Sequence, residues 1–344
     1  MKNSHAKRWV FAGLCIGCAI WLAIYLHGLK ARTASSAGVT DHQVRKLSAA
    51  QPRQIFFRYM GIDDNYAHYG KLAVVDYGNL GQPRFVDGIS CQSVHFASGH
   101  GICLTANWSA FPPYSARIFD AGFKQLFSFN LAGTPSRTRV APDGSLGAFT
   151  VFVTGHEYTS VGFSTQTQIV DMVRGQIIAS LEDFKVTRDG QRFAAPDFNF
   201  WGVTFTPDSR RFYCTLSSNL KHYLVEGNIA ARTATVIHEN VECPSVSPDG
   251  TRVAYKKRLE APGRVVWQLQ ILDLATKVET PLAEKRSVDD QLEWLDDTQV
   301  LYAVSDNPNP EGSSATTSVW KADADGKAPP ALFLPKAFSP AVVR

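Results

Sequence analysis

Residues 244–257 read PSVSPDGTRVAYKK, in which a short turn separates two apolar segments. Pro248 sets φ for the turn, Asp249 can bond nearby backbone groups, and Gly250 accepts a positive φ. Apolar residues alternate with polar ones on both sides of the turn. A period of two is typical of strands and not of helices. The stretch therefore predicts a tight β-hairpin.

Related hairpins recur along the chain as VHFASGHGICLTA (94–106), RVAPDGSLGAFTVF (139–152), TFTPDSRRFYCTL (204–216) and LEWLDDTQVLYAV (292–304). A second type of hairpin alternates with them, and its first strand ends in an acidic residue. These acids are Asp76, Asp120, Asp171, Glu226, Asp273 and Asp323, separated by 44, 51, 55, 47 and 50 residues. A side-chain carboxylate at a strand end can bond the turn backbone, which gives the recurrence a local cause.

One hairpin of each type makes a four-stranded antiparallel unit of the length expected for a β-propeller blade. The first unit begins with a strand at 54–59 that lacks an inner partner, whereas residues 336–343 (KAFSPAVV) repeat the inner-strand pattern. We therefore expect the C-terminal strand to complete blade 1 and leave no open edge in the ring. The predicted blades are 53–89 with 336–344, 90–135, 136–196, 197–240, 241–286 and 287–335.

These repeats resemble those of the TolB-like six-bladed β-propeller family, with its Ser-Pro-Asp-Gly turns and strand-Asp hairpins. The resemblance covers residues 53–344 and implies an all-β propeller with a binding role, because propellers of this family bind proteins, peptides or sugars. TolB itself has a sizeable N-terminal α/β domain, whereas residues 33–52 stand in that place here. The resemblance therefore implies a membrane-tethered propeller and not the Tol–Pal component itself.

The N-terminus predicts a membrane signal. Residues 9–26 form an uncharged apolar run, which at 1.5 Å per residue would extend about 27 Å, close to the hydrocarbon thickness of a bilayer. We expect residues 1–32 to be an uncleaved signal-anchor helix, residues 33–52 a flexible tether, and the body to lie on the extracytoplasmic, periplasmic side. A cleaved signal, which would make the protein secreted, and a buried globular helix are the alternatives.

The charge of the chain speaks against nucleic-acid binding. The sequence of 344 residues has 35 Lys and Arg against 31 Asp and Glu, but residues 1–32 hold five of the bases and no acid. The remaining residues therefore have 30 bases against 31 acids. We expect no nucleic-acid partner, since such proteins need a basic face.

Four cysteines follow the apolar run: Cys91, Cys103, Cys214 and Cys243. An exported body permits disulfides. Four cysteines allow three pairings, and the sequence alone selects none of them. Proximity favours Cys91–Cys103 and Cys214–Cys243, and small buried apolar side chains are the alternative role.

Candidate binding residues come from the loops that join blades and from the loops between the second and third strands of each blade, which lie at one end of a propeller. These loops are long and aromatic, as recognition surfaces are. The candidates are Tyr66, His68, Trp108, Tyr114, His156, Glu157, Phe200 and Trp201. For each of them, packing between blades is the competing role.

The leading hypothesis is a scaffold that binds a protein or peptide partner in the cell envelope through this face. No zinc-protease, hydrolase or nucleotide-binding motif is present, and no cofactor is expected. The alternative is a propeller enzyme, a lyase or hydrolase acting on a sugar or lactone, with a metal or a His/acid site in the central channel. Its imidazoles would be His68, His95, His100, His156 and His222. A purely structural β-module is a third hypothesis.

Overall fold

The computed structural model describes residues 53–62, 64–107, 109, 111–155, 158, 162–261, 264–307 and 316–344. The predicted membrane segment 9–26 and the predicted tether 33–52 lie outside these residues. Within the described part of the chain, no helix has the length and apolar composition that crossing a bilayer requires.

Strands dominate the described residues, with two short 3₁₀ helices at Asp64–Tyr66 and Leu181–Asp183. In chain order the strands are β1 (Gln54–Tyr59), β2 (Lys71–Asp76), β3 (Asn79–Ser90), β4 (Ser93–Ala97), β5 (His100–Ala106), β6 (Tyr114–Asp120), β7 (Gln125–Asn130), β8 (Thr134–Val140), β9 (Leu146–Thr154), β10 (Ser164–Asp171), β11 (Gln176–Ser180), β12 (Lys185–Arg188), β13 (Gln191–Phe193), β14 (Asn199–Phe205), β15 (Arg211–Ser218), β16 (Lys221–Asn228), β17 (Thr233–Glu239), β18 (Glu242–Val246), β19 (Arg252–Ala261), β20 (Arg264–Asp273), β21 (Glu279–Pro281), β22 (Glu293–Trp294), β23 (Gln299–Ser305), β24 (Thr317–Asp323), β25 (Ala331–Leu334) and β26 (Ala337–Val342).

These strands form six sheets, which are the blades of a β-propeller. From the innermost strand outward the blades are β26-β1-β2-β3, β4-β5-β6-β7, β8-β9-β10-β11, β14-β15-β16-β17, β18-β19-β20-β21 and β22-β23-β24-β25. The pairing inside each of these four-stranded sets is antiparallel. The all-β six-bladed architecture predicted from the repeats is therefore confirmed.

The C-terminal strand closes the ring. β26 pairs with β1, and Ala341 lies opposite Phe56 in the register. The innermost strands contact one another in the order β26, β4, β8, β14, β18, β22 and back to β26. The prediction that residues near the C-terminus complete blade 1 is confirmed.

The blades stack because their strands are apolar on both faces. In β1, Ile55 and Phe57 pack against blade 6, whereas Phe56 between them packs against blade 2. Successive side chains of a strand point to opposite faces, so neighbouring residues serve opposite junctions. Among the described residues, each of the six junctions between neighbouring blades holds a buried apolar cluster.

Blade 4 departs from the predicted four-stranded pattern. β12 runs parallel to β17, with Lys185 opposite Thr233, and β13 pairs with β12, so this sheet has six strands. Asp189 and Gly190 both have positive φ in the turn between β12 and β13, as a tight hairpin turn requires. Part of the range assigned to blade 3 therefore extends the outer edge of blade 4.

The two ends of the propeller differ in their connections, with tight turns at one end and longer loops at the other. After an innermost strand, Asp249 accepts a hydrogen bond from the Thr251 amide at 3.0 Å, and Gly250 has φ +73°. After a third strand, Asp120 accepts bonds from the Gly122 and Lys124 amides, both at 2.9 Å. We call the end that carries these tight turns the turn face. The opposite end, with the loops between second and third strands and between blades, is the loop face.

Candidate functional site

Equivalent residues of the six blades line the central channel near the turn face. In five blades the residue stands three positions before the turn motif, and in blade 1 Val342 takes its place. The set is His95, Arg139, Thr204, Ser245, Glu293 and Val342. We call it the channel ring, and the cavity of about 160 Å³ that it lines is the turn-face cavity.

Glu293 of blade 6 links several blades across the channel. Its carboxylate pairs with Arg139 of blade 3, and both side chains are buried. It also accepts a bond from the Val342 amide at 3.3 Å and lies 3.4 Å from the Arg344 guanidinium. Burial alone would raise the pKa of Glu293, but the Arg139 guanidinium and its other partners outweigh burial and hold it well below the usual range. Glu293 is therefore a carboxylate at neutral pH.

His95 of blade 2 faces the same carboxylate. Its Nδ1 accepts a hydrogen bond from the Val140 amide at 3.1 Å, so a neutral ring carries its proton on Nε2. Burial lowers the pKa of His95, and the Arg139 guanidinium lowers it further. The Nε2 atom faces the Glu293 carboxylate, 3.5 Å from its Oε2. The imidazole is thus a neutral donor that lines the cavity.

The wall of the turn-face cavity is largely apolar. Pro142, Pro207 and Pro248 of the turns line it, together with Phe205 and Trp294. The Trp294 indole donates to the Ser245 carbonyl at 2.8 Å, which fixes the ring. A concave, mostly apolar pocket with a few polar groups is the usual form of a small-molecule site.

Toward the loop face, the channel holds a second group of buried charges. Lys256 of β19 is completely buried, pairs with Asp289, and lies 3.5 Å from Glu242 Oε2. Burial alone would raise the pKa of Glu242, but Lys256 and the hydrogen bond from His222 lower it to about 2. Burial would lower the pKa of Lys256, yet the Asp289 carboxylate beside it raises it. Glu242 and Lys256 are therefore both charged at neutral pH and form an ion-pair network at this end of the channel.

Aromatic rings cover that network. The Lys256 ammonium lies 4.5 Å from the Trp267 ring centroid and 5.4 Å from that of Tyr158. Tyr158 in turn stacks on Trp201, with centroids 4.6 Å apart. Arg137 of β8 lies beside this group and pairs with Asp290 at 3.0 Å.

The predicted loop-face residues have different surroundings. Tyr66 is half exposed, with its ring 5.8 Å from that of Tyr69. His68 is partly buried and stacks on Phe85 at 4.1 Å. Tyr114 begins β6 and packs against the apolar cluster between blades 2 and 3. Tyr66 and His68 thus lie in blade 1, between β1 and β2, and Tyr114 lies in blade 2.

Phe200 and Trp201 were predicted at the recognition surface, but both are buried. They belong to β14, where Phe200 packs in the junction with blade 3 and Trp201 under Tyr158. Their aromatic character serves the core, because an innermost strand is covered on both faces. The other candidates, Trp108, His156 and Glu157, lie outside the described residues.

The cysteines separate into one pair and two free thiols. Cys91 and Cys103 form a disulfide, with Cα atoms 5.3 Å apart. Cys214 and Cys243 are buried and unbridged, which corrects the second favoured pairing. Thr215, the residue after Cys214, bonds the Cys243 amide at 2.9 Å. Successive side chains of a strand point to opposite faces, so Cys214 points away from the face on which Thr215 meets Cys243. The Cys214 thiol therefore cannot reach Cys243.

No family model matches the sequence, and no curated protein matches it. Solved structures do. TolB from Acinetobacter baumannii has a TM-score of 0.58 at 17% identity, over 85% of this chain and 67% of that one. A protein assigned as TolB from Agrobacterium tumefaciens has a TM-score of 0.50 at 11% identity, over 83% and 90% of the two chains. The described body has the TolB-like propeller fold. A chain of the nidogen/laminin complex has a TM-score of 0.54 at 10% identity, over 84% and 97%. At these identities the likeness concerns the fold alone.

Among the described residues of this TolB-like propeller, the imidazoles do not converge. His95 lies in the turn-face cavity, His222 lies 3.2 Å from Glu242 near the loop face, and His68 stacks in blade 1. His100 begins β5, and His156 lies outside the description. Among the described residues, no group of three or more His, Cys, Asp or Glu side chains is placed to hold a metal ion.

The sequence analysis missed the charged members of the channel ring, although a signal exists. Arg139 and Glu293 are charged residues at the same position of strands whose neighbours are apolar, as in RVAP and EWLD. They are 154 residues apart in the chain and meet only because the ring closes. Comparison of the same position in every repeat would have found them.

Proposed function

We propose that this propeller is a binding scaffold that holds a protein or peptide partner on its loop face. The observation that carries the proposal is the exposure of large apolar side chains there. Phe111, between β5 and β6, is 98% exposed, and Leu220, between β15 and β16, is 94% exposed. Apolar groups held open to water become favourable contacts when a partner covers them.

The fold supports a protein partner. The propeller chain of the nidogen/laminin complex comes from a protein–protein assembly. The ion-pair network behind the loop face supports it as well, because Lys256 of β19 links Glu242 of β18 and Asp289 beneath the loops. A rigid base lets a surface bind with less loss of conformational entropy.

We further propose that the body lies on the extracytoplasmic side of the cytoplasmic membrane, tethered through residues 1–52. The apolar run 9–26 supports the anchor, and the Cys91–Cys103 disulfide supports an oxidising compartment. In fractionated cells, the full chain should sediment with membranes. Its body should become sensitive to added protease once the outer envelope is permeabilised and the cytoplasmic membrane is still intact. Recovery of a protected, reduced protein would contradict this placement.

Site-specific photo-crosslinking tests the binding face. A p-benzoylphenylalanine at position 111 of the full chain, produced in its native cells, should give a discrete adduct upon illumination. The matched control carries the same group at Val278, which is 61% exposed in the β20–β21 turn of the turn face. We expect an adduct from position 111, one from position 220, and none from position 278.

The adduct should contain the same partner at both loop-face positions, identified by mass spectrometry. It should also disappear when Tyr66→Ser is combined with the crosslinker at position 111. Equal adducts from positions 111 and 278, or different proteins at positions 111 and 220, would refute a specific loop-face partner.

A further inference from the structure

The turn between β15 and β16 holds a leucine open to water on the loop face. Leu220 is 94% exposed, and among the large apolar side chains that the structure describes Phe111 alone is more exposed. Leu220 belongs to none of the apolar clusters formed by the described residues. An exposed leucine is common by itself, so its significance depends on the backbone that carries it.

The backbone of this turn is unfavourable for leucine. Ser218 pairs with Lys221, which leaves a loop of two residues. Asn219 has φ +50° and Leu220 has φ +60°, so both are left-handed, as in a type I′ hairpin turn. Asn-Gly is the preferred pair for such a turn, because a Cβ in the left-handed region crowds the following carbonyl oxygen. The turn therefore has a strained leucine where a glycine would be relaxed.

The same backbone strain is offset by packing at another position. Phe123 also has a left-handed φ, of +64°, but its ring lies against those of Phe56 and Phe119, with centroids 5.8 and 6.1 Å away. Leu220 makes no comparable contribution to an apolar cluster of the described residues. A residue that breaks a local rule without a gain in packing is expected at functional sites.

Asp197 holds the turn in place. Its carboxylate accepts hydrogen bonds from Ser218 Oγ at 2.8 Å and from the Asn219 amide at 2.6 Å. Its carbonyl accepts a bond from the Asn199 side chain at 3.2 Å, at the start of β14. Leu220 is thus presented on a short turn that is fixed to the innermost strand of its own blade. An apolar side chain on an ordered turn loses less conformational entropy upon binding, which suits an anchor residue.

The charged residues beside the turn are balanced in sign. Lys221 follows Leu220 in the chain, and Asp197 bonds the turn. Arg188 pairs with Glu239 at 2.6 Å, and Glu239 ends β17 at the same end of the blade. Two bases against two acids give no net attraction to an anionic lipid surface, which would need an excess of bases. The surroundings of Leu220 therefore favour a protein partner over a membrane.

We propose that Leu220 is the anchor residue for the loop-face partner, and that this partner is a protein with an apolar pocket that encloses the isobutyl group. The inference rests on the proposed function. It adds that the leucine serves binding and lowers the stability of the free propeller.

Thermal unfolding of the full chain in a non-ionic detergent tests the strain without the partner. Leu220→Gly relieves the left-handed strain and removes no packing, so we expect Tm to rise by about 1–4 °C. The matched control is Lys277→Gly, which makes the same change at an exposed residue with φ +61° on the turn face and should also raise Tm. An unchanged or lower Tm for Leu220→Gly would overturn the inference, because leucine would then serve the fold.

Photo-crosslinking from position 111 in the native cells tests the anchor, with the adduct yield normalised to the amount of chain. Leu220→Gly should lower the yield about tenfold or more. Leu220→Asn should have the same effect, because asparagine tolerates a left-handed backbone but has no apolar group. Leu220→Met keeps an apolar side chain and should keep most of the adduct. Lys277→Gly should give the same yield as the otherwise unaltered chain.

An undiminished adduct in Leu220→Gly or Leu220→Asn would overturn the anchor and leave the loop-face partner in place. A loss in Leu220→Met as large as in Leu220→Asn would exclude the apolar group as the cause, and a loss in Lys277→Gly would show an effect that is not specific to the loop face. Either result would also overturn the anchor. Absence of an adduct from position 111 without further substitutions would instead refute the partner itself, so the two failures are distinguishable.

Discussion

Substitution of Glu293 by Gln should destabilise the propeller far more than loss of a surface ion pair. The change keeps the shape of the side chain but removes the charge that faces Arg139, whose guanidinium is buried. Leaving one member of a buried pair unpaired costs about 3–5 kcal/mol. The Val342 amide and the Arg344 guanidinium also lose their charged acceptor, so we expect the upper part of that range.

The free energy of unfolding can be measured by urea titration of the full chain, followed by tryptophan fluorescence. A loss of 3–5 kcal/mol corresponds to a fall in Tm of roughly 6–20 °C for a domain approaching this size. The matched control is Glu239→Gln, because Glu239 pairs with Arg188 at 2.6 Å but is 58% exposed. An exposed pair of this kind contributes at most about 1 kcal/mol.

A double-mutant cycle isolates the pair. Arg139→Gln alone leaves Glu293 buried without its cation, whereas the double variant removes both charges. The double variant should therefore be more stable than the sum of the two single losses predicts. Additive losses, or an effect of Glu293→Gln no larger than that of Glu239→Gln, would refute the interpretation of Glu293 as the residue that links the blades.

Three further predictions concern other parts of the propeller. The folded-state pKa of Glu242 is about 2, below its ordinary 4.5, so its stabilisation is complete above pH 4.5 and is lost as the pH falls toward 2. Between pH 4.5 and pH 2, the free energy of unfolding of Glu242→Gln should therefore fall by about 3 kcal/mol less than that of the unaltered chain. An equal fall in both proteins, measured by urea titration at each pH, would contradict this. Deletion of residues 337–344 removes β26 and exposes the edge of β1, so near-UV circular dichroism should lose its cooperative thermal transition; an unchanged transition would refute closure by this strand. Replacing Cys91 and Cys103 by Ala removes a cross-link with a sequence separation of 12 and should lower the free energy of unfolding by about 2–4 kcal/mol in non-reducing buffer. The same replacement in reducing buffer should have a much smaller effect, and equal effects in both buffers would show that packing and not the cross-link is responsible.

The fold was predictable because its signals are local and repeated. The Pro-Asp-Gly turn at 248–250 specifies one hairpin through φ and side-chain bonding alone, and relatives of it mark successive blades. Ring closure was also predictable from a local sequence pattern, since residues 336–343 repeat the pattern of an innermost strand. The extra hairpin of blade 4 also had a local signal in Asp189-Gly190, but its parallel pairing with β17 depends on contacts between distant segments.

The site was less predictable because exposure and pairing depend on the assembled ring. The sequence predicted Trp201 in the loop before blade 4, because aromatic residues are common in recognition loops. In the structure Trp201 lies in an innermost strand and is covered by Tyr158. Cys214 and Cys243 are near each other in the chain, but strand alternation points them into different clusters. Such facts follow from which face of a strand a side chain occupies, and a shift of one residue reverses that face.

The channel ring shows how a repeated fold acquires individual chemistry. In a propeller with identical blades, the six ring positions would be identical, and six like charges could not share one narrow channel because they would repel one another in a medium of low polarity. In this chain the ring has one cation, one anion, one imidazole, two hydroxyls and one apolar residue. Arg139 and Glu293 neutralise each other, and His95 Nε2 faces the same carboxylate at 3.5 Å. The apolar junctions hold neighbouring blades together, whereas the charged ring positions connect blades 2, 3 and 6 across the channel, so a change such as Glu293→Gln is costly although it alters no junction.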